Sequence, residues 1–244
     1  MDRKTDPMGA AILDYAKRQR QARGREGGGA LGRLQVFSPM FEDDEMPLKT
    51  LFRSYQDMPK IEQKALDMAR GKVLDVGAGA GCHSLVLQER GIDVTAIDLS
   101  PLSVEAMRLR GIKKAVEHDF FTLEGRYDTI LMLMNGIGIV GKLERMPAFF
   151  RQMDKVLAQG GQLLCDSSDI SFLFEDAPDL MAEMGYLGEQ TFRMQYKDVI
   201  GDPFPWLYID QETLQLVAKR NGYVAEIVAE GGHHDYLARI TKKI

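Results

Sequence analysis

The stretch KVLDVGAGAGCHSLVLQERG, residues 72–91, runs from a short apolar segment into three glycines at alternate positions, Gly77, Gly79 and Gly81. The apolar run reads as a buried strand, and the residues after the glycines read as a helix that stops at Gly91. A Gly-x-Gly-x-Gly turn between them carries no Cβ to hold a ligand away, and it offers the first free N–H groups of the helix. Such a turn can hold a pyrophosphate or an amino-acid carboxylate, or serve only tight packing of strand on helix. The dinucleotide fingerprint wants its third glycine three residues after the second, and Cys82 stands there instead.

Outward from this turn the chain alternates strand and helix, the pattern of a parallel sheet covered on both faces. Upstream, Met58, Ile61, Ala65 and Met68 recur at helical spacing, with Pro59 in the first turn and Gly71 as the stop. Downstream, IDVTAID (92–98) is a second strand, and LSPLSVEAMRLRG (99–111) is a helix with Ser100 as N-cap, Pro101 as first helical residue and Gly111 as stop. KKAVEHD (113–119) and YDTILMLM (127–134) are the third and fourth strands. A helix through MPAFFRQMDKVLAQGG (146–161) leads to GQLLCDSS (161–168), the fifth. The helix DQETLQLVAKRNG (210–222) and two strands around a Gly-Gly turn close the chain.

Two carboxylates fall at the carboxyl ends of these strands, where open α/β sheets bind ligands. Asp98 closes the second strand, placed to accept from both hydroxyls of a ribose. Asp119 closes the third and precedes Phe120 and Phe121, so an acceptor for an exocyclic amine lies beside apolar faces able to sandwich a purine. Taken singly, either acid could be a helix cap or a solvated loop charge. With the glycine turn in register, the three strand ends read together as a site for an amino-acid end, a ribose and a base.

These motifs resemble those of class I S-adenosylmethionine-dependent methyltransferases: VLDVGAGAG the first, VTAIDLSP the second, EHDFF the third, and YDTILMLMNGIGIV the fourth strand with its loop. The resemblance covers roughly residues 45–167, together with the terminal strand pair. It implies a Rossmann-like, seven-stranded, mostly parallel sheet with an antiparallel last strand and helices on both faces, and S-adenosyl-L-methionine as cofactor. It further implies that Gly77, Gly79 and Gly81 approach the methionine part, Asp98 the ribose, and Asp119 with Phe120 the adenine, with Asp75, Ala78 and Leu99 also among the cofactor-binding residues. Asn135 matches the position after the fourth strand that faces the transferred methyl. Where relatives that methylate base or glutamine amines carry two prolines and an aromatic, this chain has NGIG (135–138), which argues against a planar-amide acceptor.

Composition narrows the rest. The chain has 244 residues, 45% hydrophobic and 27% charged, enough for one large α/β domain with a cap. Its 36 acids against 31 bases leave a net charge of −5, which is no footprint for nucleic acid. No membrane-length apolar run and no signal-peptide core occur, so a cytoplasmic protein is expected. Two cysteines, Cys82 and Cys165, exclude a disulfide framework or a four-thiolate zinc site, and no metal is expected; Cys165, within a strand, reads as core.

Residues 1–56 combine a basic start, the glycine-rich run GREGGGALG and the acidic EDDEMP, and read as a mobile arm or lid; residues 57–244 form the main domain. Within the latter, residues 168–210 are expected to cap the acceptor side. Eight of the chain's 20 aromatics fall in residues 167–210, where EQTFRMQYKD and PWLYI read as paired strands around a GDPFP turn. This insertion, rich in aromatics and poor in base, suits a small, partly apolar acceptor, neutral or cationic, methylated on nitrogen or oxygen. Candidates for a general base are His233, His234, His118, Tyr186, Tyr196 and Tyr208. Two other functions remain open at this point: a nicotinamide-dependent oxidoreductase on a similar sheet, and a non-catalytic S-adenosylmethionine-binding protein. Nothing in the sequence sets the oligomeric state.

Overall fold

A computed structural model of the chain describes residues 1–22, 32–174 and 185–243; most of the glycine-rich run, residues 175–184 of the insertion and residue 244 lie outside the described residues. In chain order the elements are α1 (Pro7–Ala22), β1 (Leu34–Phe37), β2 (Asp44–Met46), α2 (Lys60–Met68), β3 (Val73–Val76), α3 (Cys82–Glu89), β4 (Val94–Asp98), α4 (Pro101–Leu109), β5 (Ala115–Glu117), β6 (Tyr127–Met132), α5 (Met146–Val156) and β7 (Leu157–Ser168). There follow β8 (Glu189–Tyr196), β9 (Val199–Ile200), β10 (Phe204–Leu207), α6 (Gln211–Arg220), β11 (Tyr223–Glu230) and β12 (Asp235–Lys242).

Seven strands form one sheet in the order β11-β12-β7-β6-β3-β4-β5. β3 pairs with β6, β6 with β7 and β4 with β5 in parallel, while β12 runs antiparallel to both β7 and β11. The strand order reverses at β3, the strand that delivers the glycine turn, and this is where sheets of this kind bind ligands. All four residues of β3 are buried, as a strand covered on both faces requires.

The chain divides into two compact units. One comprises Met1–Asp57, Gly77–Asp119 and Thr191–Phe204; the other comprises Met58–Val76, Phe120–Gln190 and Pro205–Ile244. The first has its core in Ala78, Ala96, Val104, Met107, Ile112 and Ala115. The second packs Phe150 of α5 against Tyr223 with ring centroids 4.8 Å apart.

Within the first unit α1, in the N-terminal arm, packs on the core. α1 buries Ala11, Ile12, Leu13 and Ala16 along one face and packs against α4, keeping its basic residues Lys17 and Arg20 outside. Asp6 caps it, accepting from the Gly9 N–H at 2.8 Å, with Pro7 as first helical residue.

Two expectations about strands change. The helix of residues 146–161 ends at Val156, and β7 begins at once with Leu157. Pairing with β6 draws Leu157 into extended backbone, its carbonyl accepts from Arg126 Nη1 at 2.8 Å, and the glycines sit inside the strand rather than stopping the helix. The tight turn after β8 lies at Lys197–Asp198, with Lys197 at φ +53, and not in GDPFP; it returns β9 antiparallel onto β8. β8 also pairs antiparallel with β1, so a second, five-stranded sheet joins β10, β8, β1 and β2, with β9 on β8. Partner choice across some 160 residues leaves no local trace, which is why β1 and β2 were not foreseen.

Candidate functional site

In the first unit, Gly77, Gly79 and Gly81 all adopt left-handed backbone, at φ +65°, +56° and +75°. That conformation strains any residue with a Cβ. Their surroundings differ. A Cβ on Gly77 would meet no atom within 4 Å, whereas one on Gly81 would lie 2.1 Å from Ile112 Cδ1. Gly81 therefore lets the loop sit down on the core, and Gly77 keeps backbone bare toward open space, as a cradle for a ligand would.

Asp98 is bound to this loop. Its Oδ2 accepts from the Gly79 N–H at 2.8 Å and its Oδ1 from the Ser100 N–H at 2.8 Å. The two backbone bonds fix the orientation of the carboxylate. Leu99 beside it is 51% exposed, an apolar surface next to a polar anchor. Ala78 is fixed by its N–H bond to the Ile97 carbonyl at 3.0 Å, and Arg110 donates to the Ala80 carbonyl from the other side. Asp119 is exposed at the end of β5, with His118 Nδ1 2.9 Å from its carbonyl oxygen. The glycine turn, Asp98 and Leu99 are thus one hydrogen-bonded assembly.

The second unit carries Asp75, Phe120 and Asn135. Asp75 is buried at the carboxyl end of β3. Phe120 corrects an expectation: it is 3% exposed, packed on Phe149 at 5.7 Å and on Phe121 at 5.6 Å, so its ring belongs to the core and offers no face to a purine. What its neighbourhood fixes is backbone, because Gln152 Nε2 donates to the Phe120 carbonyl at 2.7 Å and the Leu123 carbonyl at 2.8 Å. Phe121 is the half-buried ring of the pair, with the Arg145 guanidinium 5.0 Å from its centroid.

After β6, Met134 and Asn135 are consecutive left-handed non-glycine residues, at φ +64° and +57°. Backbone of this kind persists only where its surroundings impose it, and it concentrates at functional sites. The constraint here is Asp166 of β7, whose Oδ2 accepts from the Met134 N–H at 3.0 Å and whose Oδ1 accepts from the Gly136 N–H at 3.3 Å. Asn135 Oδ1 is buried and has no hydrogen-bond partner among the described residues. The same amide donates from Nδ2 to the Leu207 carbonyl at 3.5 Å, and a buried acceptor left unpaired costs free energy. Sequence reasoning missed Asp166. Its signal was available: an acid inside an apolar buried strand must be hydrogen-bonded to something.

The candidate bases separate. Burial pushes the Tyr208 phenol up; burial and then the bond to Asp210 at 2.6 Å push Tyr186 up; burial and then Asp14 push Tyr196 up. These phenols stay protonated near neutrality and act as donors. His233 and His234 are exposed on the β11–β12 turn, His234 at φ +57° with its ring stacked 4.3 Å from that of Phe172. Cys165 is fully buried and its thiol is pushed up by burial and then by Asp166, consistent with a core residue. Among the described residues no three His, Cys, Asp or Glu side chains group as metal ligands, and no helix is long and apolar enough to cross a membrane.

A family model for a methyltransferase domain matches residues 48–226. The crystal structure of a SAM-dependent methyltransferase from Bacteroides fragilis, in complex with S-adenosyl-L-homocysteine, is 52% identical with a TM-score of 0.91, covering 100% of this chain and 98% of that one. A ubiquinone biosynthesis O-methyltransferase of Xanthomonas oryzae pv. oryzae is 34% identical over 103 residues, 40% of this chain and 43% of its own length. A cypemycin N-terminal methyltransferase of Streptomyces sp is 31% identical over 102 residues, 40% of this chain and 42% of its own. The chain thus spans about two fifths of the length of these curated relatives.

Proposed function

The chain belongs to the methyltransferase-domain family, and from that premise we propose that it is a class I S-adenosylmethionine-dependent enzyme that methylates a small, partly apolar acceptor on nitrogen or oxygen. The observation that carries this reading is the Asp98 carboxylate held by the Gly79 and Ser100 amides at the mouth of the glycine turn. We read it as the ribose acceptor, beside the bare backbone of Gly77. The resemblance to a protein crystallised with S-adenosyl-L-homocysteine over the whole chain supports the same cofactor.

When bound, S-adenosylmethionine supplies a methyl group on a positively charged sulfur, and positive charge is lost as it transfers. Protein groups therefore contribute by alignment and by exclusion of water, with no metal required. Gly77, Ala78, Gly79 and Gly81 present main-chain N–H groups to the amino-acid end, with Asp75 at the strand end before them. Asp98 takes the ribose hydroxyls, and Leu99 offers its exposed side chain to the sugar–base edge. Asp119 accepts from the adenine amine, and Phe120 contributes through its backbone. Asn135 is assigned the position facing the methyl, and its buried Oδ1, without a partner among the described residues, supports that assignment. Tyr208 helps orient the acceptor as a phenol that burial keeps neutral, and His233 and His234 are the imidazoles that can take a proton when the acceptor arrives protonated. The aromatic segment, with Trp206 close enough to Gly138 that a Cβ there would lie 2.1 Å from its Nε1, forms the acceptor side. We read the protein as cytoplasmic, its partner being the acceptor itself.

Calorimetric titration with S-adenosylhomocysteine and, separately, with NAD tests the cofactor. Binding of the first alone is expected; binding of NAD alone would overturn the reading. An acceptor library scored by S-adenosylhomocysteine release then separates an enzyme from a binding protein without turnover.

A further inference from the structure

Within the first unit, α1 is joined to the glycine turn by a continuous chain of hydrogen bonds that passes through Asp6. Asp6 is 2% exposed. Its Oδ1 caps α1, and its Oδ2 accepts from the Ser100 hydroxyl at 2.5 Å. A hydroxyl has one proton to give. Because Asp6 takes it, the lone pairs of Ser100 Oγ face the Ser103 N–H, which they accept at 2.9 Å, and the start of α4 is locked. The Ser100 backbone N–H, held in that lock, donates to Asp98 Oδ1, and Asp98 Oδ2 accepts from Gly79.

Capping α1 needs no buried carboxylate, since an exposed serine or aspartate serves as well. A carboxylate taken out of water is tolerated only when it is fully bonded, and here its second oxygen is spent on Ser100. Gly9 makes the approach possible: a Cβ at that position would lie 2.1 Å from Ser100 Oγ and 2.2 Å from Asp6 Oδ2. Farther along the same helix, Ile12 is fully buried and its Cδ1 would sit 3.8 Å from a Cβ on Gly79. Tyr15 packs on Phe52 at 4.3 Å, and the Arg110 guanidinium that bonds the Ala80 carbonyl lies 4.6 Å from the same Phe52 ring. α1 therefore meets the turn by two separate routes.

We propose that Asp6 is a positioning residue for cofactor binding: through Ser100 it holds Asp98 in the ribose-accepting orientation, which makes the N-terminal helix part of the cofactor site. The proposal rests on the function proposed above. A double-mutant cycle in the full chain tests it, with S-adenosylhomocysteine affinity read by calorimetry for the wild type, Asp6→Ala, Asp98→Ala and the double variant. Asp6→Ala is expected to weaken binding about ten-fold. In the Asp98→Ala background the same change is expected to cost less than about two-fold, because the group it acts on is gone. Gly9→Ala, which keeps the carboxylate but pushes it off Ser100, is expected to reproduce the loss, and Asp6→Asn, which keeps the shape but can accept from only one of the two donors, to lose less than Asp6→Ala. Unchanged affinity in Asp6→Ala, or losses that simply add in the double variant, overturns the proposal. If Asp6→Ala does not fold by circular dichroism, Gly9→Ala takes its place in the cycle with the same expected outcomes. Failure of the wild type to bind S-adenosylhomocysteine would instead sink the cofactor reading itself.

Discussion

The carboxylate of Asp98 accepts the amide proton of Gly79 at 2.8 Å, across 19 residues of sequence. The acid at the end of β4 and the turn after β3 are consequently oriented as one body, and a change at either is felt at the other. Such preorganisation lowers the ordering a ligand must impose when it binds.

The most direct test of the site is Asp98→Ala. It removes the proposed ribose bonds and the anchor of the Gly79 amide together, and is expected to weaken S-adenosylhomocysteine binding by about 1 to 3 kcal/mol. Calorimetry measures this, and an affinity equal to the wild type's contradicts the assignment.

Gly77→Ala and Gly81→Ala should fail differently although both positions are left-handed. At Gly81 a methyl collides with Ile112 Cδ1 at 2.1 Å, so the expected result is lost stability, about 2 kcal/mol or more, seen as a lower urea midpoint. At Gly77 the methyl meets nothing within 4 Å; the backbone cost is about 1 kcal/mol, and the larger loss is expected in cofactor affinity. Equal stability losses would show that the open space at Gly77 is not the ligand's.

Asp166→Ala strips the Met134 and Gly136 amides of their acceptor beneath two left-handed residues. A loss of about 2 to 3 kcal/mol in unfolding free energy is expected, with Asp166→Asn losing less because one carbonyl oxygen remains. Urea denaturation decides it; a loss below about 0.5 kcal/mol would mean the loop holds its shape without the acid.

Asp14 gives the protein a pH dependence in the acid range. Burial pushes its carboxyl up, but the bonds from Lys197 Nζ at 2.7 Å and Tyr196 OH at 2.6 Å outweigh it and bring its pKa from 3.8 down to about 2. A depressed carboxylate stabilises the folded state fully above its unfolded pKa, and that contribution disappears as pH falls through the folded one. The stability advantage of wild type over Asp14→Asn should therefore hold down to about pH 4 and shrink toward pH 2. A gap that stays constant across that window refutes it. Lys197→Met should keep part of the pH dependence, because the Tyr196 hydroxyl still bonds the Asp14 carboxylate.

Much of this was legible because it is local. Left-handed glycines, the Ser100-Pro101 start of α4 and the Asp210 cap of α6 each answer a demand made within a few residues. The end of α5 was misread for a related reason: two glycines resemble a helix stop, but pairing with β6 had already drawn Leu157 into a strand. Phe120 was misread because a Phe-Phe pair after an acid looks the same whether the ring turns to a ligand or, as here, to Phe149.

From the residues alone come the alternation of buried strands and amphipathic helices, the bare turn, and the acids that close β4 and β5, because backbone propensity and hydrophobic period act over a few residues. Only the tertiary structure decides that Asp6 reaches Ser100 across 94 residues, that Asp166 holds the loop of Asn135, and that β1 completes a sheet with β8. Each of these is a bond between groups distant in sequence. Which acid meets which donor follows from the packing of the whole chain, where a buried charge must find its partner or not be buried at all.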